Sequence, residues 1–128
     1  MKKLFFVVFI ICLNFASCSN DEDSMEEESQ KLEKMHKELV DLSLVNSQTC
    51  TNAEEWDFVK LTPNACGENR GYIVYSKKIN KSAFLAKVQT YSNAQLAFDK
   101  RWNIYISCDV SPLPSGAACV DGKVRLDF

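Results

Sequence analysis

The sequence predicts an α+β fold, in which a small antiparallel sheet of three to five strands packs on one long amphipathic helix and a tether helix precedes both. Three patterns carry that expectation. Apolar residues recur at helical spacing from Phe84 to Trp102, and strictly alternating residues close the chain from Val124 to Phe128. Two runs rich in aromatic and β-branched side chains surround Trp56 and Tyr72.

In chain order, Lys2 and Lys3 are followed by an unbroken apolar run from Leu4 to Leu13 that stops at Asn14. This is about half of the roughly 20 residues that a spanning helix needs, so residues 1–17 read as a removable signal peptide. Phe15-Ala16-Ser17-Cys18 resembles a lipobox, with Phe15 in place of the usual aliphatic residue. It predicts lipidation of Cys18 and a membrane partner held through that lipid. The alternative is an ordinary secretory signal cut near Ala16, with Cys18 left as a free thiol. Residues 18–24 are then a lipidated, flexible tether. Its Asp21-Glu22-Asp23 tract resembles the signal that sends lipoproteins of the Bacteroidota to the outer face of the outer membrane, although acidic runs also serve as plain solvated linkers. The expected location is therefore exported, lipid-anchored and exposed at the outer membrane.

Removing residues 1–17 takes away Lys2 and Lys3 and no acids, which leaves 13 basic against 17 acidic side chains, net minus four. With no basic stripe, nucleic acid binding lacks its main electrostatic contribution. Acyl chains, not a polybasic patch, must supply membrane attachment.

Met25, Leu32, Met35, Leu39 and Leu42 recur at three- and four-residue spacings, with Glu27/Lys31 and Glu33/Lys37 as i,i+4 pairs, so residues 25–47 read as the amphipathic tether helix, either docked on the domain or standing as a semi-rigid stalk. Residues 50–128 read as a disulfide-stabilised α+β domain. Trp56 to Thr62 forms one strand and Tyr72 to Tyr75 a second. The second is apolar enough to be contacted on both faces, and the two pair as a hairpin. Asn80 is a plausible cap for the long helix. Ile104-Tyr105-Ile106 is short and strand-like, and Pro112, Pro114 and Gly116 make the segment between Cys108 and Cys119 an irregular loop. Asp121-Gly122 is a favoured two-residue hairpin turn ahead of the last strand.

Cys12 leaves with the signal peptide and Cys18 carries lipid, so Cys50, Cys66, Cys108 and Cys119 remain as an even set in an oxidising compartment. Two disulfides are expected, with three possible connectivities. Cys50 with Cys66 and Cys108 with Cys119 is favoured, because a turn can close each short segment; each bridge would stabilise by about 3 kcal/mol. Zinc is the rival reading, but no Cys-x-x-Cys pair is present to preform half a tetrahedron.

Cys50 with Trp56, Ala65-Cys66-Gly67 leading to Gly71-Tyr72-Ile73-Val74-Tyr75-Ser76, Ser107-Cys108-Asp109, and Cys119-Val120-Asp121-Gly122-Lys123 lie between about Cys50 and Phe128. Over that stretch the chain resembles a group of small two-disulfide lipoproteins of the Bacteroidota. The resemblance implies a lipobox, a short helix and a compact domain, and it implies no activity. Glu68 and Asn69 stand where the group has a second glycine and a proline, and Ser107-Cys108-Asp109 stands where it has Ser-Asp-Cys.

No catalytic constellation is expected. The single histidine, His36, lies among Glu33, Lys37 and Glu38 and reads as solvated, and no histidine or carboxylate cluster has metal-ligand spacing. Glu54, Glu55, Asp57, Asp109, Asp121 and Asp127 read as solubility and turn chemistry, and no cofactor is implied. The favoured function is a non-enzymatic binding or accessory module, with an envelope protein or a glycan as partner. Its candidate contacts are the loops at Glu68-Asn69-Arg70 and at Pro112 and Pro114. The alternatives are a small carboxylate-dependent hydrolase or lyase, and a structural protein that oligomerises through residues 25–45.

Overall fold

The structure, a computed structural model, describes residues 23–62, 71–105 and 112–128. In order they form α1 (Met25–Ser43), a 3-10 turn (Ala53–Glu55), β1 (Trp56–Lys60), β2 (Tyr72–Ser76), α2 (Lys81–Arg101), β3 (Gly116–Val120) and β4 (Lys123–Asp127). The fold is α+β as expected, but it has two helices and two separate two-stranded antiparallel sheets, β1-β2 and β3-β4.

Local chemistry sets the helix ends. Ser24 and Glu27 close a capping box over the first turn of α1: the Ser24 amide donates to Glu27 Oε2 at 2.9 Å, and the Glu27 amide donates to Ser24 Oγ at 3.3 Å. At the other end the buried Ser43 hydroxyl donates to the Val40 carbonyl at 2.7 Å and accepts from the Val45 amide at 3.2 Å. Leu44 then turns left-handed, with φ of 64°, and α1 stops. Asn80 caps α2 as expected, its side chain accepting from the Ala83 amide at 3.0 Å.

Of the two placements open for the tether helix, docked or stalk, α1 takes the docked one and is part of the core. Leu32 and Leu39 are buried with Leu61, Ile73, Tyr75, Phe84, Val88, Tyr91 and Phe98, and Met35 packs against that group. The tether helix therefore packs antiparallel against α2. Glu28 meets Arg101 and Trp102 at one end, and Glu38 meets Lys87 further along. The periodic stripe in 25–45 does signal an apolar partner, but that partner is α2 of the same chain. Among the described α1 residues, Met25 and Leu42 are the large apolar side chains left exposed.

The β1-β2 hairpin lies between two layers. Trp56 pairs with Ser76, Asp57 with Tyr75, Phe58 with Val74 and Val59 with Ile73. Because side chains alternate across a sheet, Val59, Ile73 and Tyr75 face the helices, while Trp56, Phe58 and Val74 face the β3-β4 hairpin. Burial on both faces explains the nearly continuous apolar run in β2. Fully burying one such side chain stabilises by about 1.5–3 kcal/mol, and Tyr75, Leu39 and Leu61 are the largest side chains buried essentially completely. The Trp56 Nε1–H is also buried, with no hydrogen-bond partner among the described residues, so apolar contact is what holds the indole.

Two local expectations fail. Ile104 and Tyr105 form no strand: the Ile104 amide donates back to the Asp99 carbonyl at 2.8 Å, which winds the chain off the end of α2. Ile106 lies outside the described residues. The segment ahead of Cys119 is not all loop either, since Gly116–Val120 pairs with Lys123–Asp127. Ala117 and Cys119 of β3, with Val124 and Leu126 paired opposite them on β4, form the face that packs against Trp56, Phe58 and Val74 of the first sheet.

Candidate functional site

A single disulfide is present among the described residues, between Cys50 and Cys119, with Cα atoms 5.3 Å apart. It overturns the favoured pairing, in which Cys50 was to join Cys66 and Cys119 was to join Cys108. Short loops were preferred because turns close them easily. The fold instead sets the α1–β1 connection beside β3, 69 residues away in sequence. Packing of two distant segments decides the partner, and nothing in the spacing encodes it. Cys66 and Cys108 lie outside the described residues, as does Cys18.

The bridge shapes a cleft. Its first wall is the chain leaving α1, Val45 to Thr49, and its second is the β3-β4 turn, Asp121 to Lys123. The cleft holds about 360 Å³, near the lower end of the range of small-molecule sites, about 300–1,000 Å³. The first wall is fixed by the left-handed Leu44, whose carbonyl accepts from the Ser47 amide at 3.1 Å and the Gln48 amide at 2.9 Å. The Gln48 side chain is held twice, accepting from the Ser76 hydroxyl at 2.6 Å and donating to Glu55 Oε2 at 3.3 Å. The second wall is a two-residue turn in which Asp121 and Gly122 have φ of 50° and 74°, as the Asp-Gly pair predicts. The walls are joined by the disulfide and by the Cys50 amide, which donates to the Gly122 carbonyl at 2.8 Å.

Within this rigid frame the side chains of Asn46, Ser47, Thr49, Asp121 and Lys123 are exposed and make no hydrogen bond or ion pair with the described residues. Polar runs such as Asn46-Ser47-Gln48-Thr49 read as ordinary linkers, and only the long-range disulfide makes this one a wall. That is why it escaped sequence reasoning.

Elsewhere the polar side chains near the β1-β2 hairpin are engaged. Asp57 Oδ2 accepts from the Tyr75 hydroxyl at 2.9 Å and pairs with Lys81 Nζ at 3.2 Å, while Oδ1 accepts from the Phe58 amide at 2.9 Å. Burial pushes the Asp57 carboxyl upward, but the Phe58 amide, the Tyr75 hydroxyl and the Lys81 ammonium outweigh it and hold the group below the usual carboxylate range. Burial and the hydrogen bond to Asp57 raise the Tyr75 phenol. The cluster ties β1, β2 and the first turn of α2 together. Glu55 pairs with Lys78 at 3.2 Å as well as with Gln48, and Glu28 accepts from the Trp102 indole at 2.7 Å while pairing with Arg101. These carboxylates hold elements together, a different role from two acids converging on an open site.

His36 is not solvated as expected. It lies half-buried at the α1/α2 interface, its ring 5.7 Å from that of Tyr91, and burial lowers its pKa. Of the expected binding loops, Glu68, Asn69 and Arg70 lie outside the described residues. Pro112 is exposed and Pro114 is buried. Among the described residues no three His, Cys, Asp or Glu side chains gather as a metal site would require, and no helix is long and apolar enough to cross a membrane. Against known proteins, the chain matches no protein-family model, no curated protein and no solved structure.

Proposed function

We propose that the chain is an exported lipoprotein, anchored through Cys18 at the outer membrane, whose folded part is a non-enzymatic binding or accessory module. The Lys2-Lys3 start, the apolar run to Leu13 and Ala16-Ser17-Cys18 support the anchor. One positional observation supports the binding role: the cleft lies at the end of α1 opposite the one that a lipid on Cys18 would tether. Met25 opens α1 seven residues after Cys18, and a 19-residue helix rises about 28 Å before the chain enters the cleft wall. An anchor at one end and a rigid polar cleft at the other suit a module that presents a site away from a surface. Rigid walls also lower the ordering cost of binding.

The test is enrichment from the envelope fraction with the full chain as bait, wild type against Thr49→Trp, which fills the cleft from an exposed position. Recovery of a component by wild type and its loss in the variant, at unchanged thermal stability, is expected. Equal recovery by both would overturn the assignment of binding to the cleft.

A further inference from the structure

We infer that the cleft between Val45–Thr49 and Asp121–Lys123 takes a neutral, polyhydroxylated ligand, a saccharide; the inference rests on the binding-module reading above and names its ligand class. The fold leaves the polar side chains of this cleft, apart from Gln48, uncommitted. Asn46 offers an amide that donates and accepts, and Ser47 and Thr49 offer hydroxyls that do both. Asp121 only accepts and Lys123 only donates.

Charge removes the simple ions. One carboxylate and one ammonium cancel, so an inorganic anion meets Asp121 and a metal cation meets Lys123, each with like-charge repulsion. Composition removes apolar ligands, because Val45 is the only large apolar residue in the lining. What remains is a ligand with many groups that each donate and accept, and that is the chemistry of adjacent sugar hydroxyls. Such a ligand can donate a hydrogen bond to Asp121, accept one from Lys123 and do either at Asn46, Ser47 and Thr49. The frame is ready without rearrangement, because the disulfide and the Cys50–Gly122 hydrogen bond already fix the two walls.

The experiment is amide chemical-shift mapping on the full chain. The probes are a broad panel of neutral mono- and oligosaccharides, with inorganic phosphate, calcium and the zwitterion glycylglycine as comparators. At least one saccharide is expected to give saturable shifts at Asn46, Thr49, Gly122 and Lys123. In Thr49→Trp those shifts should vanish. In the charge-free pair Asp121→Asn with Lys123→Met the affinity should fall at least tenfold, with the disulfide intact. Saturable shifts at the cleft from phosphate, calcium or glycylglycine, and none from any saccharide, would overturn the ligand class while leaving the binding module standing. Silence of the cleft toward every probe would also overturn the class. Whether the binding module falls with it is read separately, from the Thr49→Trp envelope enrichment.

Discussion

Removing the Cys50–Cys119 bridge by the double substitution to alanine should destabilise the protein strongly. The bridged residues are 69 apart in sequence. In the chain-entropy treatment a 15-residue loop is worth about 3 kcal/mol and a 100-residue loop about 4.7 kcal/mol, which puts this closure at about 4.4 kcal/mol. For a domain of this size each 1 kcal/mol moves Tm by about 4–8 °C, so a fall of roughly 18–35 °C is expected. Alanine is preferred to serine at Cys50 because that position is buried in the Trp56–Val74–Val124 cluster, where an added hydroxyl would need a partner. The assay is urea unfolding of the oxidised protein followed by Trp fluorescence, with non-reducing peptide mapping of the wild type. Mapping should recover Cys50 linked to Cys119. If two disulfides form among the four cysteines, the second must then be Cys66 with Cys108. Recovery of a Cys50–Cys66 peptide, or a stability loss under about 1 kcal/mol, would refute the reasoning.

Three further outcomes are expected. Leu39→Ala should cost about 2–5 kcal/mol, because the side chain is buried between α1 and the core; a loss within about 0.5 kcal/mol in urea unfolding would return α1 to the status of a stalk. Asp57 titrates below its ordinary value when folded, so its contribution is present at neutral pH and lost as pH falls through the folded value. Asp57→Asn should therefore be less stable than wild type at pH 7 and show a shallower loss of stability below about pH 4 in acid unfolding. His36 also titrates low, because burial beside Tyr91 disfavours its charge. The unfolded chain then binds the proton more readily as pH falls below about 6.5, and His36→Gln should lose less stability than wild type between pH 7 and 5.

What could be read from the sequence was whatever depends on neighbours in the chain. The Asn80 cap, the Phe84 to Phe98 stripe, the β1-β2 hairpin and the Asp121-Gly122 turn are all set within a few residues, and they stand where the residues put them. What stayed open and what failed share one cause. Leu32 and Leu39 announce a buried face without naming what covers it, so a docked helix and a stalk look alike. Cysteine spacing favours short loops, yet the joined pair is chosen by how the β3-β4 hairpin lies against the α1–β1 connection. The split into two sheets follows from the same packing, since alternating strands do not tell whether a hairpin extends an existing sheet or covers its face. The cleft inherits all of these long-range choices.

The most direct test of the proposed role begins with its premise, the anchor. Intact mass of the protein from its native membrane fraction, wild type against Cys18→Ala, should show a lipid-sized increment that the variant lacks, with the wild type cleaved by protease added to whole cells. An unlipidated, soluble wild-type mass would contradict the anchor, and with it the reading of the cleft as a site held out from a membrane.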